Sequence, residues 1–155
     1  MLDLYEELRT LIDGLQELGI DYALCGGLAL ALYGIPRATV DIDILVQKES
    51  LGKAQKLARE LGYMVKANPM EFARGAIEIH RLSKKDEETA DWVSLDFLVV
   101  TPRLKEAWET RCQIEWEEGR IWVVSREGLI FLKSLRASGQ DLDDIQKLKE
   151  GIDES

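Results

Sequence analysis

Leu4, Leu8, Leu11, Ile12, Leu15 and Leu18 recur at helical spacing, which predicts an amphipathic first helix between Asp3, an N-cap residue with Glu6 three positions on, and the stop at Gly19. The period then changes. Residues 22–25 form a short apolar run that halts at Gly26-Gly27, the pattern of a buried strand entering a tight turn. Residues 28–33 are helix formers ended by Gly34 and Pro36, and residues 40–46 mix acidic and apolar positions before becoming wholly apolar, as in a strand open at one end. Leu51, Ala54, Leu57, Ala58 and Leu61 restore helical spacing up to Gly62.

Further strands are predicted at 63–65, 76–82 and 93–100, with a charged, solvated loop at 83–91 between the last two. A short helix over 102–110 and a hairpin of 113–116 with 120–124, turned at Glu118-Gly119, come next. Ser125 caps a helix carrying Leu129, Ile130, Leu132 and Leu135. Asp141 opens a last helix with Leu142, Ile145 and Leu148 inward, ending at Gly151, and Asp153 to Ser155 read as a loose tail. This order predicts an α+β fold with a mixed β-sheet flanked by helices and followed by C-terminal helices. A chain of 155 residues suits one domain over 1–155, its core at about 20–124 and its terminal helices at about 125–150.

Composition narrows the partners. Twenty basic against twenty-nine acidic side chains give a net charge of −9, which repels polyanions and argues against extended nucleic-acid binding. No apolar run approaches the length of a membrane span and no leader pattern is present, so a cytoplasmic location without membrane contact is expected. Cys25 and Cys112 sit in apolar segments as buried thiols rather than a disulfide, and His80, the one histidine, reads as a strand residue at an edge or interface.

The candidate chemistry lies in the acidic strand. Strand periodicity puts Asp41 and Asp43 on one face with Val40, Ile42, Ile44 and Val46 packed behind. Their Cα atoms are then about 6.7 Å apart. At a carboxylate separation near 5 Å their repulsion is on the order of 3 kcal/mol, which a cation, a proton or water must offset. Asp96 stands alone in the apolar strand 93–100, and placing it beside the other two accounts for it. Three hard oxygen donors suit magnesium or manganese. Each aspartate read alone also fits a strand end facing water. Gly26 and Gly27 open a helix with unpaired backbone N–H groups and no side chain in the way, an arrangement suited to phosphate oxygens as well as to a plain tight turn. Arg37, Lys133 and Arg136 are cations that either balance a triphosphate or face solvent, and the four tryptophans either stack a base or pack.

The succession Cys25-Gly26-Gly27, then Arg37-Ala38-Thr39-Val40-Asp41-Ile42-Asp43-Ile44, then Asp96 resembles the DNA polymerase β-like nucleotidyltransferase superfamily, within it the small bacterial abortive-infection and toxin–antitoxin group. Gly139-Gln140-Asp141-Leu142-Asp143-Asp144-Ile145 is similar to the Lys/Arg-Asp-x-x-Asp-Ile segment of such proteins. The likeness spans residues 20 to 150. It departs at Gly27, where many active members carry a serine that touches the triphosphate, and at Gln140, where a basic residue is usual.

The resemblance implies a nucleotidyltransferase fold and an enzyme that moves an NMP from an NTP to a hydroxyl on a small molecule, protein or RNA. Asp41, Asp43 and Asp96 are then the metal and catalytic residues, and Gly26, Gly27, Arg37 and Lys133 the nucleotide-binding ones. The alternative is a catalytically weak or inactive member that acts as an antitoxin or regulator by binding the partner protein of a toxin–antitoxin pair.

Overall fold

The computed structural model describes residues 2–35, 39–117, 119–136 and 139–154; Arg37 lies outside them. The chain opens with α1 (Leu4–Glu17), whose N-terminus is capped by the Asp3 carboxylate accepting from Tyr5 and Glu6 N–H. Leu8, Leu11, Ile12 and Leu15 form its buried stripe. Next come β1 (Tyr22–Cys25), α2 (Gly26–Leu32), β2 (Asp41–Val46), α3 (Leu51–Glu60), β3 (Val65–Lys66), β4 (Met70–Phe72), β5 (Ile77–Lys85) and β6 (Trp92–Val99). The chain finishes with α4 (Lys105–Glu109), the hairpin β7 (Cys112–Trp116) and β8 (Gly119–Val123), α5 (Arg126–Arg136) and α6 (Gly139–Glu154). The Ser125 hydroxyl accepts from Gly128 N–H at the start of α5, as expected of a cap.

Among the described residues the strands form one mixed sheet in the order β3-β5-β6-β2-β1-β8-β7, with β4 beside β3 along the same edge of β5. β2 is antiparallel to β1 and parallel to β6, so the two acidic strands lie next to each other at the centre. Ile42, Ile44, Val46, Leu95 and Phe97 are fully buried there, which anchors the register on the apolar side. The α+β expectation holds, with helices packed on the sheet and α5 and α6 closing the C-terminal end.

Several local expectations are corrected. Val40 precedes the strand and is 62% exposed rather than packed behind it. Residues 83–85, expected in a loop, extend β5, because Lys84 reaches back to Glu7 Oε1 at 2.7 Å and to the Leu61 carbonyl at 3.0 Å, tying the strand to α1 and the end of α3. The strand predicted at 63–65 is shorter and later, and β4 had no counterpart in the hydrophobic pattern. The last helix continues past Gly151 to Glu154, and its inner face carries Asp141, Asp144 and Leu148 while Leu142 faces outward. Lys133 on α5 explains that acidic inner face, with Nζ 3.4 Å from Asp141 and 2.9 Å from Asp144. Both cysteines are free thiols, Cys25 buried and Cys112 partly so. His80 lies within β5, one strand in from the edge, and its Nε2 is 2.9 Å from Glu78. Among the described residues no helix is long and apolar enough to cross a membrane.

Candidate active site

The strand register builds the site. Cys25 pairs with Asp43, Asp43 with Asp96, and Asp96 with Arg81, so β1, β2, β6 and β5 set these four residues in one row across the sheet. Asp41 lies two residues before Asp43 and opposite Ser94, on the same face. The three aspartates predicted from the sequence therefore share a face, and all three line a single cavity of about 440 Å³. Gly26, Gly27, Thr39, Lys133 and Arg136 line it as well.

Gly26 is required by geometry. Its φ is +69°, in the left-handed region, and a Cβ there would lie against Oδ2 of Asp43 and 2.7 Å from its Cγ. The turn and the carboxylate thus occupy one another's only available space. At Gly27 a Cβ would come within 3.2 Å of the Thr39 side chain, whose hydroxyl accepts from Asp41 N–H at 3.1 Å. A side chain at residue 27 would press on Thr39.

Sequence reasoning missed Arg81. Its Nε and Nη2 donate to the two oxygens of Asp96 at 2.7 and 2.9 Å, a bidentate pair around a carboxylate only 3% exposed. This hydrogen bonding raises the guanidinium pKa further above its usual value, so Arg81 is a permanent cation. Ile77, Ile79 and Arg81 alternate on one face of β5, but only the register of β5 against β6 reveals the anion opposite Arg81.

The carboxylates are held in a costly arrangement. Burial, then the charges of Asp96 and Asp41, then a hydrogen bond with Asp96, push the Asp43 carboxyl up to about 8. Burial and Asp96 also raise Asp41, opposed by Arg81. The Cys25 thiol, behind them, is pushed well up by burial and by Asp43 and Asp96.

A divalent cation would relieve this repulsion, and the donors are the hard oxygens that magnesium or manganese prefers. Among the described residues, however, no group of three or more His, Cys, Asp or Glu side chains is set to hold a metal ion by itself. Asp96 faces Arg81, which leaves Asp41 and Asp43 as the open carboxylates. That donor set fits magnesium completed by phosphate oxygens and water, the usual manner in which this ion is bound at phosphoryl sites.

Lys133 lines the cavity, and its charge is shared with Asp141 and Asp144, the latter 1% exposed. Arg136 also lines the cavity, 3.9 Å from Asp141. Trp108 is buried, and Arg111 packs near both Trp108 and Trp122, its guanidinium 3.9 Å from the first ring and 5.0 Å from the second, while Trp92 is 45% exposed beside Lys85.

The same fold is found in solved structures of low sequence identity. The lincosamide antibiotic adenylyltransferase LnuA, with lincomycin bound, is 19% identical over 93% of this chain and 95% of that chain, with a TM-score of 0.64. ANT(2'')-Ia in complex with adenylyl-2''-tobramycin is 12% identical over 94% and 87%, at 0.61. The Thermotoga maritima protein TM1012, described as a nucleotidyltransferase, is 18% identical over 97% and 93%, at 0.59. No curated protein matches the chain by sequence. The family described as "Uncharacterised nucleotidyltransferase" matches residues 2–132, and with that match over most of its length the chain belongs to this nucleotidyltransferase family and is an enzyme of that class.

Proposed function

We propose that the protein uses magnesium or manganese to transfer a nucleoside monophosphate from an NTP to a hydroxyl acceptor, releasing pyrophosphate. The observation that carries this reading is the register: Asp41, Asp43 and Asp96 on one face, beside a glycine turn whose shape is dictated by Asp43. Asp41 and Asp43 would hold the metal, which supplies neutralisation of the phosphate charge and a lowered acceptor pKa. The Gly26 turn admits phosphate oxygens close to the backbone, and the Thr39 hydroxyl supplies the contact that a serine at position 27 would make. Arg136, with Lys133 behind it, balances negative charge at the α5 wall.

In the transfer, the acceptor oxygen forms a bond to the α-phosphorus as the bond from that phosphorus to the bridging oxygen breaks. Pyrophosphate leaves with the electron pair, in line with the attack. The hydroxyl proton passes to a carboxylate oxygen of Asp96, whose plane Arg81 fixes. The bound lincomycin of LnuA and the adenylyl-2''-tobramycin of ANT(2'')-Ia support a small-molecule acceptor here.

The test is thermal melting with each of the four NTPs, with and without magnesium. A magnesium-dependent rise in Tm with at least one NTP is expected for wild type and not for Asp41→Ala or Asp43→Ala. Equal shifts in all three proteins, or none in wild type at millimolar NTP, would sink the proposal.

A further inference from the structure

The face that carries the aspartates changes character on the side away from the glycine turn. Two residues along from Arg81 and Asp96, Ile79 pairs with Leu98 and, on its other side, with Met70 of β4. Phe72 pairs with Ile77 one step further along. Met70, Phe72 and Ile79 all line the same 440 Å³ cavity as the carboxylates. Phe72 is 44% exposed and Met70 partly so, although both are large apolar side chains at the end of a strand that pairs with β5 alone. Val40, also exposed, lines the cavity at the opposite end of the acidic row.

The position of this strip relative to the chemistry identifies its ligand. Along the sheet, the order is β1 with the Gly26 turn, β2 with Asp43, β6 with Asp96, β5 with Arg81, then β4. At the ordinary spacing between strands, β4 lies about 14 Å from β2 on the side opposite the turn. In-line displacement puts the attacking oxygen and the leaving pyrophosphate on opposite sides of the α-phosphorus. With phosphates at the glycine turn, the acceptor enters over Asp96 and rests its body against β5 and β4. A strip of Met, Phe and Ile offers no cation to a phosphodiester backbone, which the net charge of −9 also repels. The cavity volume falls in the small-molecule range of about 300–1,000 Å³.

We infer that Met70, Phe72 and Ile79 form the acceptor subsite, and that it takes a small hydroxyl compound with an apolar aliphatic or aromatic body. The inference rests on the nucleotidyl-transfer reading and goes on to name its acceptor class. Burying this exposed aromatic and thioether surface against the acceptor is favourable at about 25 cal/mol per Å².

The experiment uses benzyl alcohol as probe and glycerol as its polar control, each at the same concentration with magnesium and ATP labelled at the α-phosphate. Wild type is expected to adenylylate benzyl alcohol at least tenfold faster than glycerol, and Phe72→Gln and Met70→Gln are expected to lose that preference. In parallel, ¹³C-methyl methionine NMR follows Met70 against Met64, which is 69% exposed and outside the cavity lining. Benzyl alcohol should move the Met70 resonance and leave Met64 in place, a readout that does not depend on turnover. Both variants change partly exposed side chains, and cooperative melting checks that they fold. An unmoved Met70, equal movement of both methionines, or equal use of both alcohols overturns the subsite. So does a wild-type dimer that Phe72→Gln converts to monomer, because a second copy would then cover the strip. Absence of any magnesium–NTP shift in wild type counts instead against nucleotidyl transfer itself.

Discussion

Replacing Gly26 by alanine tests the tightest contact in the site. The new Cβ would lie against Oδ2 of Asp43 and 2.7 Å from its Cγ, and the residue would be held at a φ of +69°. The left-handed backbone costs about 1–2 kcal/mol for any side chain. Rotating the carboxylate away costs about 0.5–1.5 kcal/mol more if it leaves its rotamer well. The expected loss of stability is therefore about 2–3 kcal/mol by urea unfolding. The displaced carboxylate is expected to cost about a hundredfold in turnover, the penalty of misplacing a positioned group by an ångström. Asp43→Ala removes the obstructing atoms but leaves the backbone strain. In a double-mutant cycle the two substitutions should couple by about 1 kcal/mol, the steric part of the Gly26→Ala loss being recovered. Additivity within about 0.5 kcal/mol would refute the contact.

Three further outcomes follow from the same geometry. Asp43, pushed up to about 8, keeps a proton in the folded protein that the unfolded chain releases near pH 4, so without metal stability should fall as pH rises from about 4 to 8, by at most about 1.4 kcal/mol per unit. Urea midpoints across that range should show the slope in wild type and a flatter profile in Asp43→Asn. Arg81→Ala leaves the 3% exposed Asp96 without its guanidinium and should destabilise by about 2–3 kcal/mol, below the range for fully buried pairs because Arg81 is partly exposed; Arg81→Lys should recover only part of that in the same unfolding assay. Thr39→Val should weaken NTP binding about fivefold by calorimetry, the worth of one hydrogen bond, while Gly27→Ser in wild type should gain nothing because its side chain would press on Thr39.

The centre of this fold was legible because its signals are local. β1 stops at two glycines, β2 and β6 are short apolar runs broken by acids, and a period of two puts Asp41 and Asp43 on one face without any tertiary knowledge. What was not legible depends on partners distant in the chain. Arg81 is an unremarkable strand residue until β5 is registered against β6, fifteen residues away from Asp96 in sequence. β4 has three residues after Asn68-Pro69, too few to show a period, and it exists because β5 offers it an edge. On α6 the apolar pattern pointed Leu142 inward, but Lys133 lies where the inner face meets α5, and satisfying a buried cation with Asp141 and Asp144 outweighed burying one leucine. The expectation for Arg37 falls outside the described residues.

Cys25 gives the site a local clock. Its thiol is 2% exposed, its Sγ donates to the Asp43 carbonyl at 3.5 Å, and the surrounding carboxylates disfavour the thiolate. A thiol reagent can therefore reach it only when the packing over this face of the sheet opens, where Leu129 and Leu132 of α5 line a small cavity with it, so the rate of labelling measures how often α5 lifts from the carboxylate row, separately from unfolding of the whole chain. Cys112, more accessible on β7, gives a second rate in the same sample, and the ratio of the two separates opening over the aspartate face from fraying at the far edge of the sheet.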